Sequence, residues 1–110
     1  MPEIIFYDGQ LQELKMDKET LSKYWAVRSE KMSFTYFEVP PHKEFKKHKH
    51  INEQITYVIS GELFFETKDA IYCLKQGDSI VIASNAEHRV WTTNEGAKAV
   101  DSWTPAYEQY

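Results

Sequence analysis

The chain is poor in everything that would staple, anchor or subdivide it. Cys73 is its only cysteine, so no disulfide can form within it, and a reducing compartment such as the cytoplasm suits it best. Its four glycines and four prolines form no linker, and with 110 residues and no repeat it is read as one domain, residues 1–110. Basic residues are in deficit, 13 Lys and Arg against 17 Asp and Glu, and a net charge of −4 argues against nucleic acid as a partner. The longest purely apolar runs are three or four residues, against the roughly 20 that a membrane-spanning helix needs. No basic stretch followed by an apolar segment marks the N-terminus as a signal peptide. These absences predict a cytoplasmic protein with neither a membrane nor a nucleic acid as partner.

Aromatic residues, by contrast, make up 15% of the chain, and they favour strands over helices. One short helix is expected, from Lys18 to about Tyr24, capped by Asp17. The rest reads as short strands between turn signals. Ile4–Tyr7 stops at Asp8-Gly9, and Met32–Val39 at Pro40-Pro41. Ile55–Ile59 stops at Ser60-Gly61. Leu63–Glu66 and Ile71–Leu74 flank a hairpin turn, and Ser79–Ala83 follows Gln76-Gly77-Asp78. His88–Thr93 and Ala97–Trp103 close the series across Asn94-Glu95-Gly96. Many short strands at this spacing predict an all-β sandwich, jelly roll or barrel. Phe34, Tyr36, Tyr57 and Phe65 are expected to pack in its core.

The chemistry is concentrated in the histidines. His48 and His50 sit at i and i+2, which on a strand places both imidazoles on one face, where they can meet on one metal ion. Lys43, Lys46, Lys47 and Lys49 surround them, either as a positive rim that draws an anionic substrate or as charge that keeps an edge strand soluble; the second reading is preferred. Arg89 has the opposite parity to His88 and is expected to face away from it.

Two stretches together resemble the two-part cupin signature. The first runs from His42 through His48, His50 and Gln54 to Gly61, and the second from Gly77 through Ala83, Asn85 and His88 to Thr92. The spacing agrees with that family although His42, Ala83, Asn85 and Thr92 replace its usual Gly, Pro, Gly and Asn. Asn85 tolerates the left-handed backbone that the glycine would supply. The resemblance implies a jelly-roll (double-stranded β-helix) barrel holding one divalent transition metal, Zn, Ni, Mn or Fe, on His48, His50, Gln54 and His88. Glu53 competes with Gln54 as the fourth ligand, but Gln54 has the family's distance to Gly61 and shares the parity of Thr56 and Val58. Three imidazoles and an amide are all neutral, so the metal would keep its full charge as a Lewis acid.

Within the family the chain looks most like the small pectin-degradation cupins, which linearise 4,5-unsaturated uronates. The resemblance implies a site lined near the C-terminus by Asp101 and Trp103. Tyr107 stands where those proteins carry an Arg, so a substrate carboxylate would lose a bidentate partner. The reaction implied is an isomerisation, epimerisation or tautomerisation of a small sugar or sugar-acid substrate, with Asp101 or a metal-bound hydroxide moving the proton. An Fe(II) dioxygenase and a non-catalytic ligand-binding protein are the alternatives. A homodimer is expected, built on the Ile4-Ile5-Phe6 strand and an outward-facing Trp91.

Overall fold

A computed structural model describes residues 3–109. Its strands are β1 (Lys15–Met16), β2 (Lys23–Arg28), β3 (Ser33–Val39), β4 (Glu44–His48), β5 (Glu53–Glu66), β6 (Ile71–Lys75), β7 (Ser79–Ile82), β8 (His88–Trp91) and β9 (Ala97–Thr104). All pairings are antiparallel, in the order β1-β2-β3-β9-β5-β8-β4, with β6 and β7 also on β5. The first half of β5 pairs with β9 and β7, and the second half with β8 and β6. The sheet therefore curls about β5 into a barrel with two walls. Among the described residues no helix is long and apolar enough to cross a membrane.

Strict alternation along β5 and β9 decides what the barrel encloses. Gln54, Thr56 and Val58 point in while Ile55 and Tyr57 point out; Ala97, Ala99, Asp101 and Trp103 point in. Val58, Leu63, Phe65, Leu74, Ile82 and Ala99 form an apolar core at one end. The other end is lined by buried polar groups, Thr35, Thr56, Gln54, His88 and Asp101. Of the four aromatics expected inside, only Phe65 is there. Tyr57 is 45% exposed, and Phe34 and Tyr36 lie on the outer face, Tyr36 stacked on Trp25 at 5.6 Å and Phe34 tilted against it at 6.3 Å. Their neighbours Thr35 and Thr56 hold the inward positions because that part of the interior serves polar groups.

Three expected elements are replaced. There is no helix at Lys18–Tyr24. Asp17 accepts the Glu19 and Leu21 amides through its side chain and carbonyl, Leu21 turns left-handed at φ 59°, and the chain enters β2. That single closed turn cannot propagate. The only helical turn among the described residues is a three-residue 3-10 turn at Gly9–Leu11, capped by Asp8. Ile4–Tyr7 is not a strand, because no neighbouring strand offers it a ladder, and Ile4 and Phe6 remain 87% and 85% exposed. Ile55–Ile59 and Leu63–Glu66 are one strand, not two. The ladder shifts by one residue between Val58 and Ser60, and Gly61 at φ 79° bends the strand without ending it. β1, β2 and β4 were not foreseen; β4 is masked in sequence by its lysines.

Gly61 makes the bend and allows a close approach. A Cβ there would lie 1.9 Å from the Gly96 carbonyl oxygen, whereas at Gly77 (φ 89°) it would meet nothing within 4 Å. Gly61→Ala is therefore expected to cost about 3 kcal/mol or more, and Gly77→Ala only the roughly 1–2 kcal/mol of a left-handed alanine. Thermal unfolding of the two variants checks this; equal losses would refute the steric part.

Candidate metal centre

Pairing of the strands gathers the site. β4 runs beside β8 with His48 directly opposite His88, and His50 follows two residues beyond the end of β4. In the facing wall Gln54 lies opposite Trp103, and Thr56 opposite Asp101. The three imidazoles converge: ring centroids are 4.3 Å apart for His48 and His88, 5.0 Å for His50 and His88, and 5.6 Å for His48 and His50. One nitrogen from each lies within 4.8 Å of the others. His88 thus meets the His48/His50 pair from about forty residues away along the chain, while His42 sits on a left-handed turn at φ 57° outside the cluster.

The backbone sets the state of each ring. His48 Nδ1 lies 2.6 Å from the Lys46 carbonyl oxygen, His50 Nδ1 2.9 Å from that of Asn52, and His88 Nδ1 2.9 Å from that of Ala86. A carbonyl only accepts, so every Nδ1 carries the proton and every Nε2 presents a lone pair. Gln54 adds a fourth acceptor. Its Nε2 donates to Thr56 Oγ1 at 2.9 Å, which turns Oε1 toward His50 Nε2 at 3.1 Å. Acceptors facing one another with no donor between them repel, and a cation relieves that repulsion. Neutral imidazoles held by carbonyls through their far nitrogens are what a divalent transition metal takes as ligands. The donor set therefore fits the metal that the sequence motif implies. Glu53, the competing ligand, points outward into solvent.

Thr56 and Asn52 are contributions the sequence reading passed over. Thr56 Oγ1 also donates to Asp101 Oδ1, so one hydroxyl ties the amide of Gln54 to the carboxyl; its shared parity with Gln54 was the available signal. Asn52 holds His50 through its carbonyl, and its side chain donates to the Pro105 carbonyl at 2.5 Å. Nothing local in the sequence marks it.

The site opens into a cavity of about 380 Å³. Phe37, Phe45, Phe65 and Val90 form one side. Trp103 and Tyr107 form another, stacked at 4.1 Å with 9° between their planes, and His50 meets both edge-on. Trp103 Nε1 donates to Thr35 Oγ1 at 3.1 Å, and the Tyr107 amide to Ser33 Oγ at 2.9 Å, so neither is loosely placed. Asp17, Glu19, Lys46, Lys47 and Lys49 stand at the mouth, which is of mixed charge. Arg89 faces away, paired with Glu44 and Glu66.

Burial shifts two groups in opposite directions. It lowers His88 from 6.5 to about 4, against the Ala86 hydrogen bond and with the neighbouring imidazoles. It raises Asp101 from 3.8 to about 7, against hydrogen bonds from Thr56 and Gln54. On unfolding between about pH 4 and 6.5, His88 takes up a proton and Asp101 releases one. The stability due to His88 is lost as pH falls through this window, and that due to Asp101 is lost as pH rises through it. In metal-stripped protein the two slopes cancel. Asp101→Asn leaves only the histidine, and stability is then expected to fall by about 3 kcal/mol on acidification across the window. Urea denaturation in chelator at several pH values measures this; an unchanged slope would contradict the assignment.

Comparison with known proteins agrees with this geometry. A family model for the cupin domain matches residues 35–103. A search of the curated proteins finds no match. Among solved structures, an RmlC-like cupin from Shewanella frigidimarina superposes with a TM-score of 0.84 at 23% identity, covering 94% of this chain and 93% of that one. KdgF from Halomonas sp. gives 0.84 at 17% identity over 96% of each chain. A predicted oxalate decarboxylase from Thermotoga maritima gives 0.78 at 17% identity, over 92% of this chain and 99% of that one. The matched segment runs from Thr35, on the wall behind Asp101, to Trp103, and encloses all four candidate ligands, so the chain belongs to the cupin domain family.

Proposed function

We propose that this protein is a metal-dependent enzyme that moves a proton on a small sugar or sugar-acid substrate, isomerising or tautomerising it. The observation that carries this reading is the convergence of three Nε2 lone pairs and the Gln54 oxygen beside one buried carboxyl, Asp101. His48, His50, Gln54 and His88 would hold one Zn, Ni, Mn or Fe ion. Such an ion supplies Lewis-acid polarisation of a substrate oxygen.

The remaining roles belong to the chain. The Asp101 carboxyl, raised to about 7, can both give and accept a proton near neutral pH. Thr56 orients that carboxyl and the Gln54 amide together. Phe37, Phe45 and Phe65 keep water from the reacting centre. The stacked Trp103 and Tyr107 wall shapes the substrate's place, and burial raises the Tyr107 hydroxyl, which stays a neutral hydrogen-bonding group where related pectin-degradation cupins carry an Arg. Lys46, Lys47 and Lys49 stand at the mouth beside Asp17 and Glu19, so their charge is partly offset there and they chiefly keep the β4 edge solvated. The single cysteine suits the cytoplasm.

The test is elemental analysis of protein purified without added metal, followed by an assay on a 4,5-unsaturated uronate that reads loss of its conjugated alkene. About one ion per chain is expected, with turnover lost to chelator and restored by one of the four metals. Protein that retains no metal and turns over nothing in its presence would end the reading. A second reading, an oxygen-using dioxygenase, draws support from the apolar side formed by Phe37, Phe45, Phe65 and Val90; iron together with oxygen uptake in that experiment would put it first.

A further inference from the structure

Residues 105–109, which follow β9, belong to no strand or helix, and of them only Ala106 and Tyr107 are part-buried. This strap carries Tyr107 over the cavity, so what fixes it also fixes that side of the site. Two of its anchors come from β2 and β3. The Tyr107 amide donates to Ser33 Oγ at 2.9 Å, and the Arg28 guanidinium donates to the Tyr107 carbonyl. A third anchor is Asn52, in the bend between His50 and β5. Its side-chain nitrogen donates to the Pro105 carbonyl at 2.5 Å and to the Ala106 carbonyl at 3.3 Å. Asn52 is 5% exposed, so a lost partner there is not replaced by water without cost. The same residue accepts His50 Nδ1 on its backbone carbonyl, and the His50 ring meets Tyr107 edge-on at 5.4 Å. The contacts close a circuit from His50 through Asn52 and the strap to Tyr107 and back. His48 and His88 are held instead by the carbonyls of Lys46 and Ala86.

We propose that Asn52 is a positioning residue that sets His50 and the Tyr107 side of the cavity as one unit, so that metal loading tightens the C-terminal strap and the strap in turn raises metal affinity. The metal half of this rests on the centre proposed above. An irregular segment tied down by a few hydrogen bonds opens more easily than the strands beside it, which makes it the part that a bound metal can steady. Such coupling is reciprocal: whatever factor the metal gains from a closed strap, the strap gains from a bound metal. The rest of the bend limits the size of the effect. The His50 carbonyl accepts the Asn85 amide at 2.8 Å, and the Ile51 carbonyl accepts the Ser84 hydroxyl at 2.6 Å. Loss of the Asn52 side chain therefore frees one residue of the bend and leaves its neighbours pinned.

Amide hydrogen exchange of the C-terminal peptide, read by mass spectrometry on the full chain with chelator and with Zn, tests the proposal alongside calorimetric titration with Zn. In the wild type Zn is expected to slow exchange of that peptide about tenfold. Asn52→Ala is expected to abolish this response and to weaken Zn binding about tenfold, the lower end of the range for an indirect contact to a ligand. Ser33→Ala loosens the strap without touching the bend, and is expected to weaken Zn binding a few-fold. A merely structural role for Asn52 would leave the Zn affinity of Ser33→Ala unmoved, and this variant carries the comparison if Asn52→Ala does not fold. In chelator, His50→Ala is expected to speed exchange of the C-terminal peptide as Asn52→Ala does, and His48→Ala to leave it unchanged. That arm needs no metal, so a wild type that takes up no Zn ends the reading of the metal centre, and the link from His50 to the strap is still decided. Exchange that Zn leaves unchanged in Zn-loaded wild type, a Zn response that survives Asn52→Ala, or a strap indifferent to His50→Ala overturns the proposal.

Discussion

His88→Ala is expected to abolish metal binding, weakening it on the order of a thousand-fold or more and taking turnover with it. Among the three histidines His88 is the one fully buried, and its ring lies within 5.0 Å of both others. Removing it leaves two imidazoles at the end of β4 and an amide, with one side of the site open. Loss of an indirect contact to a ligand costs 10- to 100-fold, so loss of the ligand itself must cost more. His42→Asn is the matched control. It removes an imidazole outside the cluster and keeps a residue that accepts the left-handed backbone at φ 57°. Elemental analysis and calorimetric titration with Zn or Ni would show about one ion per chain for the control and none for His88→Ala. Full metal occupancy in His88→Ala would show that the cluster is not the site.

The second large effect falls on chemistry and spares binding. Asp101→Asn keeps the size of the side chain and an oxygen that can accept from Thr56, but it cannot carry a proton. The expected loss in kcat is about 10²- to 10⁴-fold, the usual worth of a positioned acid or base. Metal content should stay near wild-type level, because Asp101 is not itself in the histidine cluster and the asparagine keeps an oxygen that accepts from Thr56 and Gln54. Any limb of the pH–rate profile that this carboxyl sets should disappear as well, because the asparagine does not titrate. Unchanged kcat with an unchanged profile would move the proton-carrying role elsewhere.

Different parts of the molecule were legible to different degrees. The candidate ligand set could be read because the cupin-like spacing joins His88 and Gln54 to the His48/His50 pair, whose residue type and strand parity already hint at a metal. Gln54 was preferred to Glu53 on its distance to Gly61 and on parity, and alternation along β5 turns Gln54 inward and Glu53 outward. Parity pairs Asp101 with Trp103 and Val100 with Ser102 without choosing between the two sets, and burial places Asp101 and Trp103 inside. Parity says which residues share a face, not which face is inside. For the same reason Phe34, Tyr36 and Tyr57 were misassigned to the core. Hydrophobicity alone favours burying them, yet their neighbours Thr35 and Thr56 are needed behind the site.

The sequence by itself determined an all-β architecture and the absence of any internal disulfide, because strand alternation, turn residues and cysteine count are local properties, and the three-histidine cluster with Gln54 was legible only through the cupin-like spacing of two separate motifs. The tertiary structure alone decided where strands bend and which segments find partners: one continuous β5 curved at Gly61, an N-terminal run left without a ladder, and a tight turn in place of a helix. It also decided the tautomer of each histidine and the link from Gln54 through Thr56 to Asp101. Those depend on carbonyls and hydroxyls that long-range strand pairing brings together, and pairing across such distances leaves no trace in the order of the residues.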